Sequence, residues 1–364
     1  MASLGDQKSQ IETPSLCLDL SRFEANLQRA AAIIRTAGKS WRPHASSHHC
    51  PEIAIRQLHE GALGVTCGNV DDAEVFVAAG IGDIMIAHQP VGHRRIARIA
   101  ALAKHANPIV TCDHYVQAQA LSAECVKQGV QCRALVELNV GRERTGVRPG
   151  RDALELASGI EKLPALKLCG IMGYEGHVMS LRDPDEKRRQ IHAAMGILAS
   201  TCDLYRKNGH CCDIVSASGT DSFQESVRCE CLTEIRAGGV IFGDPYYTRM
   251  PDVDGLLPAL TVLATVVSRP GFDRAVLDAG RTAIAAELFP PTVKDWHDAK
   301  VVMHDAEHIV LELGPGSREL RIGDPVELIV GYATLTTMLH NEILGFRNNQ
   351  LEQIWPIWGR RRLV

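Results

Sequence analysis

The sequence lacks the features that mark several large classes of protein. Only 5% of its 364 residues are aromatic, and no apolar run approaches the roughly 20 residues that a membrane helix needs. The 39 lysines and arginines are balanced by 43 aspartates and glutamates, so no basic excess is available to attract nucleic acid or a membrane surface. The run Arg360–Arg362 is too short to change this, and we expect it to form surface ion pairs. The segment MASLGDQKSQ has no apolar core of a signal peptide. We therefore expect a soluble cytoplasmic protein with neither nucleic acid nor a membrane as partner.

The twelve cysteines do not have the spacing of a metal site or of a disulfide scaffold. No pair has the C-x-x-C spacing of a zinc site or redox pair, and the only close pairs are Cys211–Cys212 and Cys229 with Cys231. Several of the others lie inside apolar runs, where a small buried thiol is expected. This usage indicates a reducing compartment.

No GxGxxG motif follows a strand-like run, which disfavours an open dinucleotide-binding sheet. Eight short apolar runs instead alternate with longer amphipathic ones, and eight such units predict a (β/α)8 TIM barrel. The predicted barrel strands are Ser40–His44, Gly64–Cys67, Asp83–His88, Pro108–Cys112, Arg133–Asn139, Leu166–Gly173, Asp213–Ala217 and Glu234–Phe242. Beyond about Pro258 the runs become short, β-like and joined by turns. We predict a barrel over residues 20–257 and a mainly β domain made of residues 1–19 and 258–364.

Polar residues recur where the predicted strands end, which is where barrel enzymes place their active sites. The turn Ser218–Thr220 contains a glycine and two hydroxyl groups. Its backbone amides suit a phosphate, although such turns are also common structural features. Arg144 suits an anion or an electron-rich ring edge, although a lone arginine is more often a surface ion pair. Single histidines usually belong to a core, but their recurrence at one end of the barrel favours a site. The strand-end residues are His44, His48, His49, His88, Asp113, Arg144, Tyr174, Glu175, His177, Ser218, Gly219 and Thr220.

An ordered set of motifs resembles one family over nearly the whole chain. The N-terminal matches are Thr13-Pro14, Leu18-Asp19, Arg42-Pro43-His44, His48 and Pro51-Glu52-Ile53-Ala54. The later ones are Gly64–Cys67, Arg144–Val147, Gly173–His177, Ser218–Thr220, Thr233–Gly238, Asp244 with Tyr247, Leu277–Gly280 and Gly323-Asp324. Together they resemble the D-threonine aldolase and D-serine dehydratase family, which has the alanine-racemase-type fold of a barrel plus a β domain.

The resemblance implies a pyridoxal phosphate pocket at the barrel mouth. Ser218, Gly219 and Thr220 would contact the phosphate, and Arg144 would face the ring hydroxyl. His44 would lie beside the cofactor, and Tyr174 and Tyr247 would line the site. Active members act on β-hydroxy or other D-amino acids, many need a divalent metal, and members of this fold commonly form homodimers. We therefore expect a homodimer.

Two departures from the family pattern affect the chemistry. The family has Lys-Thr/Ser-His-Lys after Arg-Pro-His-x, and its first lysine forms the internal Schiff base. This chain has Ser46, Ser47, His48 and His49 there, and serine has no amine that could form an imine. None of the ten lysines ends a predicted barrel strand. The family's metal-binding Pro-Asn-His-x-Cys/Asp segment corresponds to Val330–Thr334, which lacks both ligands.

Three hypotheses therefore remain open. The first is a lyase, cleaving or dehydrating a small β-hydroxy amino, hydroxy or keto acid, that works without an internal pyridoxal aldimine. Its acid–base groups would be His44, His48, His49, Tyr174 and His177, and the substrate would face Ser46, Ser47 and His88. Alternatively, the chemistry would depend on a newly recruited divalent metal, whose ligands the sequence does not identify. The second is an inactive homologue that binds pyridoxal phosphate non-covalently or an amino acid. The third is an ordinary family lyase whose lysine has been replaced.

Overall fold

The chain starts in one sheet and then builds a second one. In this computed structural model, which describes residues 2–250 and 252–360, the first strand is β1 (Ser15–Asp19) and the first helix is α1 (Leu20–Thr36). The Asp19 side chain accepts a hydrogen bond from the Arg22 amide, which caps the helix. The apolar face of α1, which includes Phe23, Leu27 and Ile34, is buried in the core.

Eight parallel strands follow and form a curled sheet at the centre of the molecule. They are β2 (Ser40–Trp41), β3 (Val65–Cys67), β4 (Ile84–Ile86), β5 (Ile109–Cys112), β6 (Cys132–Leu138), β7 (Leu166–Gly173), β8 (Ile214–Ala217) and β9 (Glu234–Ile235). β2 pairs with β9, and a bridge between His44 and Thr66 joins the strand ends of β2 and β3. The backbone bonds from Leu63 N to Trp41 O (2.8 Å) and from Thr66 N to Pro43 O (2.8 Å) complete this junction, so the predicted barrel is confirmed.

Helices connect most neighbouring barrel strands. They are α2 (Pro51–His59), α3 (Val70–Ala78), α4 (His93–Leu102), α5 (Tyr115–Gln128), α6 (Arg151–Glu161), α7 (Pro184–Lys207) and α8 (Phe223–Ser226), and α9 (Pro245–Thr248) follows the last barrel strand. The connection between β8 and β9 holds only the four-residue α8. The long α7 brings the segment after β7 back across the barrel.

The predicted mainly β region forms a second sheet with β1 inside it. Its other strands are β10 (Leu260–Gly271), β11 (Arg274–Leu277), β12 (Thr292–Val293), β13 (Ala299–His304), β14 (Ile309–Leu313), β15 (Pro325–Ile329), β16 (Glu342–Arg347) and β17 (Gln350–Pro356), and α10 (Ala333–Thr336) lies between β15 and β16. β1 pairs antiparallel with β10 and parallel with β16. The sequence did not predict β12 and β13, because β12 has only two residues and half of β13 is exposed.

The barrel and the second sheet share one continuous hydrophobic core. The predicted last barrel strand, Glu234–Phe242, is wrong beyond Ile235. Pairing stops at Ile235, and a 3₁₀ turn follows at Gly239–Ile241, where Gly238 lies against the His44 backbone. No helix of the described residues could cross a membrane. Arg361 and Arg362 lie outside the described residues, whereas Arg360 donates to the Asn341 side chain.

Candidate active site

The carboxyl ends of the barrel strands surround a cavity of about 460 Å³. Its wall is formed by segments that follow the barrel strands, together with α9 and the segment before α10. The lining residues are His44, Ser46, Ser47, Gly68, Ala87, His88, Gln89, Arg144, Thr145, Met172, Tyr174, Ser218, Gly219, Thr220, Arg236, Gly238, Gly239, Tyr247, Tyr332 and Thr334. A concave site at this end of a barrel is where ligands of such folds bind.

Ten of the thirteen site residues predicted from the sequence line this cavity. They are His44, Ser46, Ser47, His88, Arg144, Tyr174, Ser218, Gly219, Thr220 and Tyr247. The sequence missed Arg236, Gly238, Gly239, Tyr332 and Thr334 as lining residues. Arg236, Gly238 and Gly239 lie inside the predicted strand Glu234–Phe242. Because the strand ends at Ile235, these residues follow it and reach the cavity.

Three predicted histidines lie outside the lining. His48 is fully buried, and its ring packs edge-on against Phe76, with centroids 6.1 Å apart. His49 is also buried and its Nδ1 lies 3.0 Å from Asp72 Oδ1. His177 packs so close to Gly141 that a Cβ at that glycine would lie 2.9 Å from the imidazole ring. Helical spacing and strand ends do not reveal which way such side chains turn.

The predicted phosphate turn is held from below by a buried glutamate. Ser218 adopts the left-handed conformation (φ 77°), which bends the chain after β8. Glu175 accepts hydrogen bonds from the Ser218 amide (3.3 Å) and from the hydroxyls of Ser222 (2.6 Å) and Ser226 (3.2 Å). The Gly219 amide donates to Ser222 Oγ (3.1 Å). Because every one of these contacts is on the inner side of the turn, the turn is rigid before any ligand binds.

Two glycines complete the rim opposite the turn. A Cβ on Gly238 would lie 2.0 Å from the His44 carbonyl oxygen, so only glycine fits there. A Cβ on Gly239 would come within 3.1 Å of Thr220 Oγ1 and would fill the space between the two segments. Within residues 2–250 and 252–360, the amides of Thr220, Gly238 and Gly239 have no acceptor. This concave, glycine-rich rim with free amides suits a phosphate group.

The charged side chains of the lining are two arginines. Arg236, at the end of the last barrel strand, is buried and donates to the Gly173 carbonyl. Burial lowers the pKa of its guanidinium, and the nearby Glu175 partly offsets this effect. Arg144 lies 5.8 Å from the ring centre of Tyr174. No carboxylate and no lysine stands among the described lining residues, so the cavity favours anionic ligands.

A hydrogen-bond network behind the cavity holds the loop that carries Arg144. Glu137 accepts from Thr145 Oγ1 (2.6 Å) and from Gln89 Nε2 (2.6 Å). Asp113 accepts from the Gly146 amide (2.9 Å). The strand-end carboxylate Asp113 therefore fixes this loop and does not line the cavity.

His44 is a neutral imidazole with a defined tautomer. Its Nδ1 accepts a hydrogen bond from the Ser46 amide (3.2 Å), so its proton is on Nε2. Burial, with the charges of Arg236, His49 and Arg144 acting in the same direction, lowers the pKa of His44 to about 3. The residue therefore offers an N–H donor at neutral pH.

Tyrosines form one wall of the cavity. The rings of Tyr247 and Tyr332 lie 6.0 Å apart, and Tyr246 packs edge-on against both of them. Burial raises the pKa of Tyr247 and Tyr174 well above the ordinary value, so both hydroxyls remain protonated. Tyr332 and Thr334 belong to the segment that the sequence had matched to the family's metal-binding motif.

The ligand set for a metal ion is missing from this part of the structure. In the described residues no three His, Cys, Asp or Glu side chains are grouped to hold a metal. Tyr332 and Thr334 supply only a phenol and a hydroxyl, which are weak ligands for zinc or manganese. The residues present do not fit the divalent metal that the resemblance left open.

Lys187 is buried close to the phosphate turn but outside the lining. Its Nζ donates to the Asp221 carbonyl oxygen (2.7 Å) and to Asp252 Oδ1 (2.8 Å). With these contacts the amine is occupied on the far side of the turn. The lining contains Ser46 and Ser47, which follow His44 at the end of the first barrel strand.

Comparisons with known proteins agree with this architecture. The family model "Alanine racemase, N-terminal domain" matches residues 18–245, and "Putative serine dehydratase domain" matches residues 259–346. The chain is 36% identical to D-threonine aldolase from Arthrobacter sp over 99% of its own length and 95% of the relative's. It is 29% identical to 3-hydroxy-D-aspartate aldolase from Paracoccus denitrificans (strain Pd 1222), over 98% and 94%.

A solved structure gives the same result. The crystal structure of D-threonine aldolase from Filomicrobium marinum superposes with a TM-score of 0.96 at 33% identity, covering 99% of this chain and 98% of the other. These relatives are named as aldolases, which are lyases. The chain therefore belongs to the D-threonine aldolase and D-serine dehydratase-like family, with the alanine racemase fold.

Proposed function

We propose that this protein is a lyase that cleaves or dehydrates a small β-hydroxy amino acid, or a related hydroxy or keto acid. We further propose that it holds pyridoxal phosphate without a covalent bond to lysine. The observation that carries the proposal is a lysine-free cavity that retains the glycine-rich phosphate rim, in a chain whose relatives are lyases.

The residues of the cavity fit pyridoxal phosphate. The phosphate would be held by the free amides of Thr220, Gly238 and Gly239 and by the hydroxyls of Ser218 and Thr220. A Cβ at either glycine would narrow this cradle. When bound, pyridoxal phosphate supplies an electron sink for negative charge that develops on the substrate.

The two arginines would hold acidic groups: Arg144 would face the ring hydroxyl of the cofactor, as the resemblance implies, and Arg236 would orient the acid group of the substrate. Arg236 is fixed by its bond to the Gly173 carbonyl, and Arg144 is held by the Glu137 network. A guanidinium pairs with a carboxylate through two parallel hydrogen bonds. With no carboxylate in the described lining to compete, the substrate's own acid group would take this place.

Neutral hydrogen-bond donors and one exposed imidazole supply the proton chemistry. His44 Nε2–H and the hydroxyls of Tyr174 and Tyr247 stay protonated and can steady negative charge on a substrate oxygen. His88 is accessible to solvent at the cavity mouth, and we assign it the proton transfer to and from solvent. Ser46 and Ser47 leave space beside the reacting group.

The test is product formation by the purified protein with added pyridoxal phosphate. A panel of β-hydroxy D-amino acids, including D-threonine, D-3-hydroxyaspartate and D-serine, is followed for release of aldehyde, glycine, keto acid or ammonia. We expect turnover of at least one compound and a loss of about 100-fold or more in Arg144→Gln, since an orienting contact is removed. Arg151→Gln is the matched control, because Arg151 is exposed on α6 and pairs with Glu155 on the same helix.

Pyridoxal phosphate binding without any turnover would contradict the lyase. That result would favour a binding or regulatory protein, a function that the absence of lysine from the described lining also supports. The free state of all twelve cysteines supports a reducing compartment, and we retain the cytoplasm as part of the proposal.

A further inference from the structure

A second buried carboxyl group lies directly behind the phosphate turn. Asp221 follows Thr220, is 1% exposed, and has no hydrogen-bond partner for either carboxyl oxygen among the described residues. A Cβ on Gly219 would lie 2.6 Å from Asp221 Oδ1, so the carboxyl is packed against the turn. A buried acid without a partner is costly in its charged form and needs a physical explanation.

The neighbours of Asp221 do not neutralise it. Glu175 is also beneath the turn, where it accepts hydrogen bonds from the Ser218 amide and the hydroxyls of Ser222 and Ser226, and it makes no hydrogen bond to Asp221. Lys187 donates to the Asp221 carbonyl and to the carboxylate of Asp252, and not to the Asp221 carboxyl. The remaining titratable groups that act on Asp221, or on which it acts, are the phenols of Tyr174, Tyr246 and Tyr247.

The two carboxyl groups therefore divide their roles. Glu175 is the fixed acceptor that shapes the turn, whereas Asp221 is free to change its protonation state without losing any hydrogen bond. A phosphate dianion on the outer side of the turn would add negative charge next to two buried carboxyl groups, Glu175 and Asp221. Protonation of Asp221 would relieve this repulsion and would leave every hydrogen bond of the turn intact.

We propose that Asp221 takes up a proton from solvent when a phosphate dianion binds to the Ser218–Thr220 turn, so that phosphate binding and protonation are linked. The inference rests on the phosphate site of the proposed function. Burial, followed by the charge of Glu175, raises the pKa of Asp221 to about 7. A bound dianion acts in the same direction, so the linkage extends from about pH 7 upward.

The sign of the effect follows from linkage. Above about pH 7, Asp221 is ionised in the free protein and protonated in the phosphate-bound protein. The affinity for phosphate therefore falls by about tenfold for each unit by which the pH rises. The phosphate monoester itself is already a dianion in this range, because its second pKa is about 6. The decline above pH 7 therefore reports the protein and not the ligand's phosphate.

The experiment measures binding of pyridoxine 5′-phosphate, which has no aldehyde and cannot react with lysine. Titration calorimetry at pH 7 to 9, in buffers of different ionisation enthalpy, gives both the affinity and the number of protons taken up. We expect close to one proton at pH 8 for the wild type. Asp221→Asn should bind with a flat pH dependence and more tightly than the wild type at pH 8.5. Any titration of the ligand ring cancels between the two proteins.

Two controls isolate the turn. Asp252→Asn removes an acid beside Lys187 and should keep the wild-type slope, and pyridoxine without phosphate should take up no proton through Asp221. Equal slopes in wild type and Asp221→Asn, or no proton uptake by the wild type, would overturn the inference while leaving the lyase proposal intact. If Asp221→Asn does not fold, the wild-type proton count alone decides. No binding of pyridoxine 5′-phosphate even at pH 6.5 would overturn the phosphate site and the inference together.

Discussion

His44 illustrates how one half-buried side chain controls the chemistry available to the cavity. Its Nδ1 is used by the Ser46 amide, so its ring presents only an N–H to a ligand. Its position after a strand predicted His44 at the site, but the same reasoning assigned it an acid–base role. Burial among positive charges was not predictable, because Arg236 and Arg144 come from distant parts of the chain.

We predict that His44 remains neutral through the range in which exposed imidazoles titrate. Nitrogen-15 NMR of the imidazole groups between pH 7.5 and 5 should show fixed His44 resonances in the Nε2–H tautomer, while exposed imidazoles shift around pH 6.5. Because the unfolded state takes up this proton and the folded state does not, acid below about pH 6.5 should destabilise the fold through His44. A His44 signal that titrates near pH 6.5 would contradict this description.

Ser46 gives the second prediction at this scale. Ser46→Lys restores an amine at the cavity wall, so adding pyridoxal phosphate should produce a visible absorbance band and an adduct that borohydride fixes to residue 46. Ser180→Lys is the matched control, since Ser180 is exposed after β7 and outside the lining. If Ser46→Lys forms no more adduct than Ser180→Lys, position 46 does not face the cofactor.

At the scale of elements, the junction after β9 decides the shape of the site. The apolar run Glu234–Phe242 reads as one long strand, but the close approach of Gly238 to the His44 carbonyl ends the strand after two residues. Strand ends on either side of this junction were predictable from hydrophobic runs and turn residues. The junction itself was not, because it depends on a contact between the first and last barrel strands.

We predict that Gly238→Ala disrupts this junction. The new Cβ would lie 2.0 Å from the His44 carbonyl oxygen, so backbone must move, at a cost of about 1–3 kcal/mol in the free energy of unfolding. Pyridoxine 5′-phosphate should also bind at least tenfold more weakly. Chemical denaturation and calorimetry measure the two effects.

Gly196→Ala is the control for that substitution. Gly196 lies inside α7 with nothing outside its helix within 4 Å of a new Cβ, so alanine should stabilise the fold by about 0.5–1 kcal/mol and leave binding unchanged. A Gly238→Ala protein with wild-type stability and binding would show that the junction tolerates a side chain.

At the scale of the whole molecule, the buried carboxyl group of Asp244 connects the end of the barrel with the segment of the second domain that reaches the cavity. Asp244 Oδ2 accepts from the Ala333 amide (2.9 Å), and this bond holds the segment that carries Tyr332 and Thr334. Its Oδ1 has no partner among the described residues. Burial raises the pKa of Asp244 to about 8, with only the Ala333 hydrogen bond opposing it.

We predict that Asp244 makes the wild-type fold less stable as pH rises from about 4 to 8. In this range the folded carboxyl keeps its proton while the unfolded one has lost it, so the stabilisation is greatest below pH 4 and is lost toward pH 8. Asp244→Asn can retain the hydrogen bond from the Ala333 amide. Between pH 5 and pH 8 its free energy of unfolding should therefore rise relative to wild type, by on the order of a few kcal/mol. Thermal unfolding across this range, with the exposed Asp254→Asn as control, measures the difference. Parallel pH curves for wild type and Asp244→Asn would contradict it.

The barrel, the mainly β domain and the family were predictable from the sequence. They follow from local patterns, namely the alternation of apolar and amphipathic runs and the order of the motifs. The division of the chain near residue 258 and the homodimer stay predictions. What the sequence could not supply is the meeting of distant segments, such as Tyr332 with Tyr247 or Arg236 with Gly173, since those contacts exist only once the barrel has closed.

We propose that the cavity holds pyridoxal phosphate without a covalent bond to lysine. The direct measurement is borohydride treatment of the native complex after removal of free cofactor, followed by denaturation and peptide mapping. We expect the native protein to retain one equivalent of cofactor, which borohydride reduces to pyridoxine 5′-phosphate and denaturation releases, with no lysine modified stoichiometrically. Stoichiometric reduction onto a single lysine, such as the buried Lys187, would contradict it.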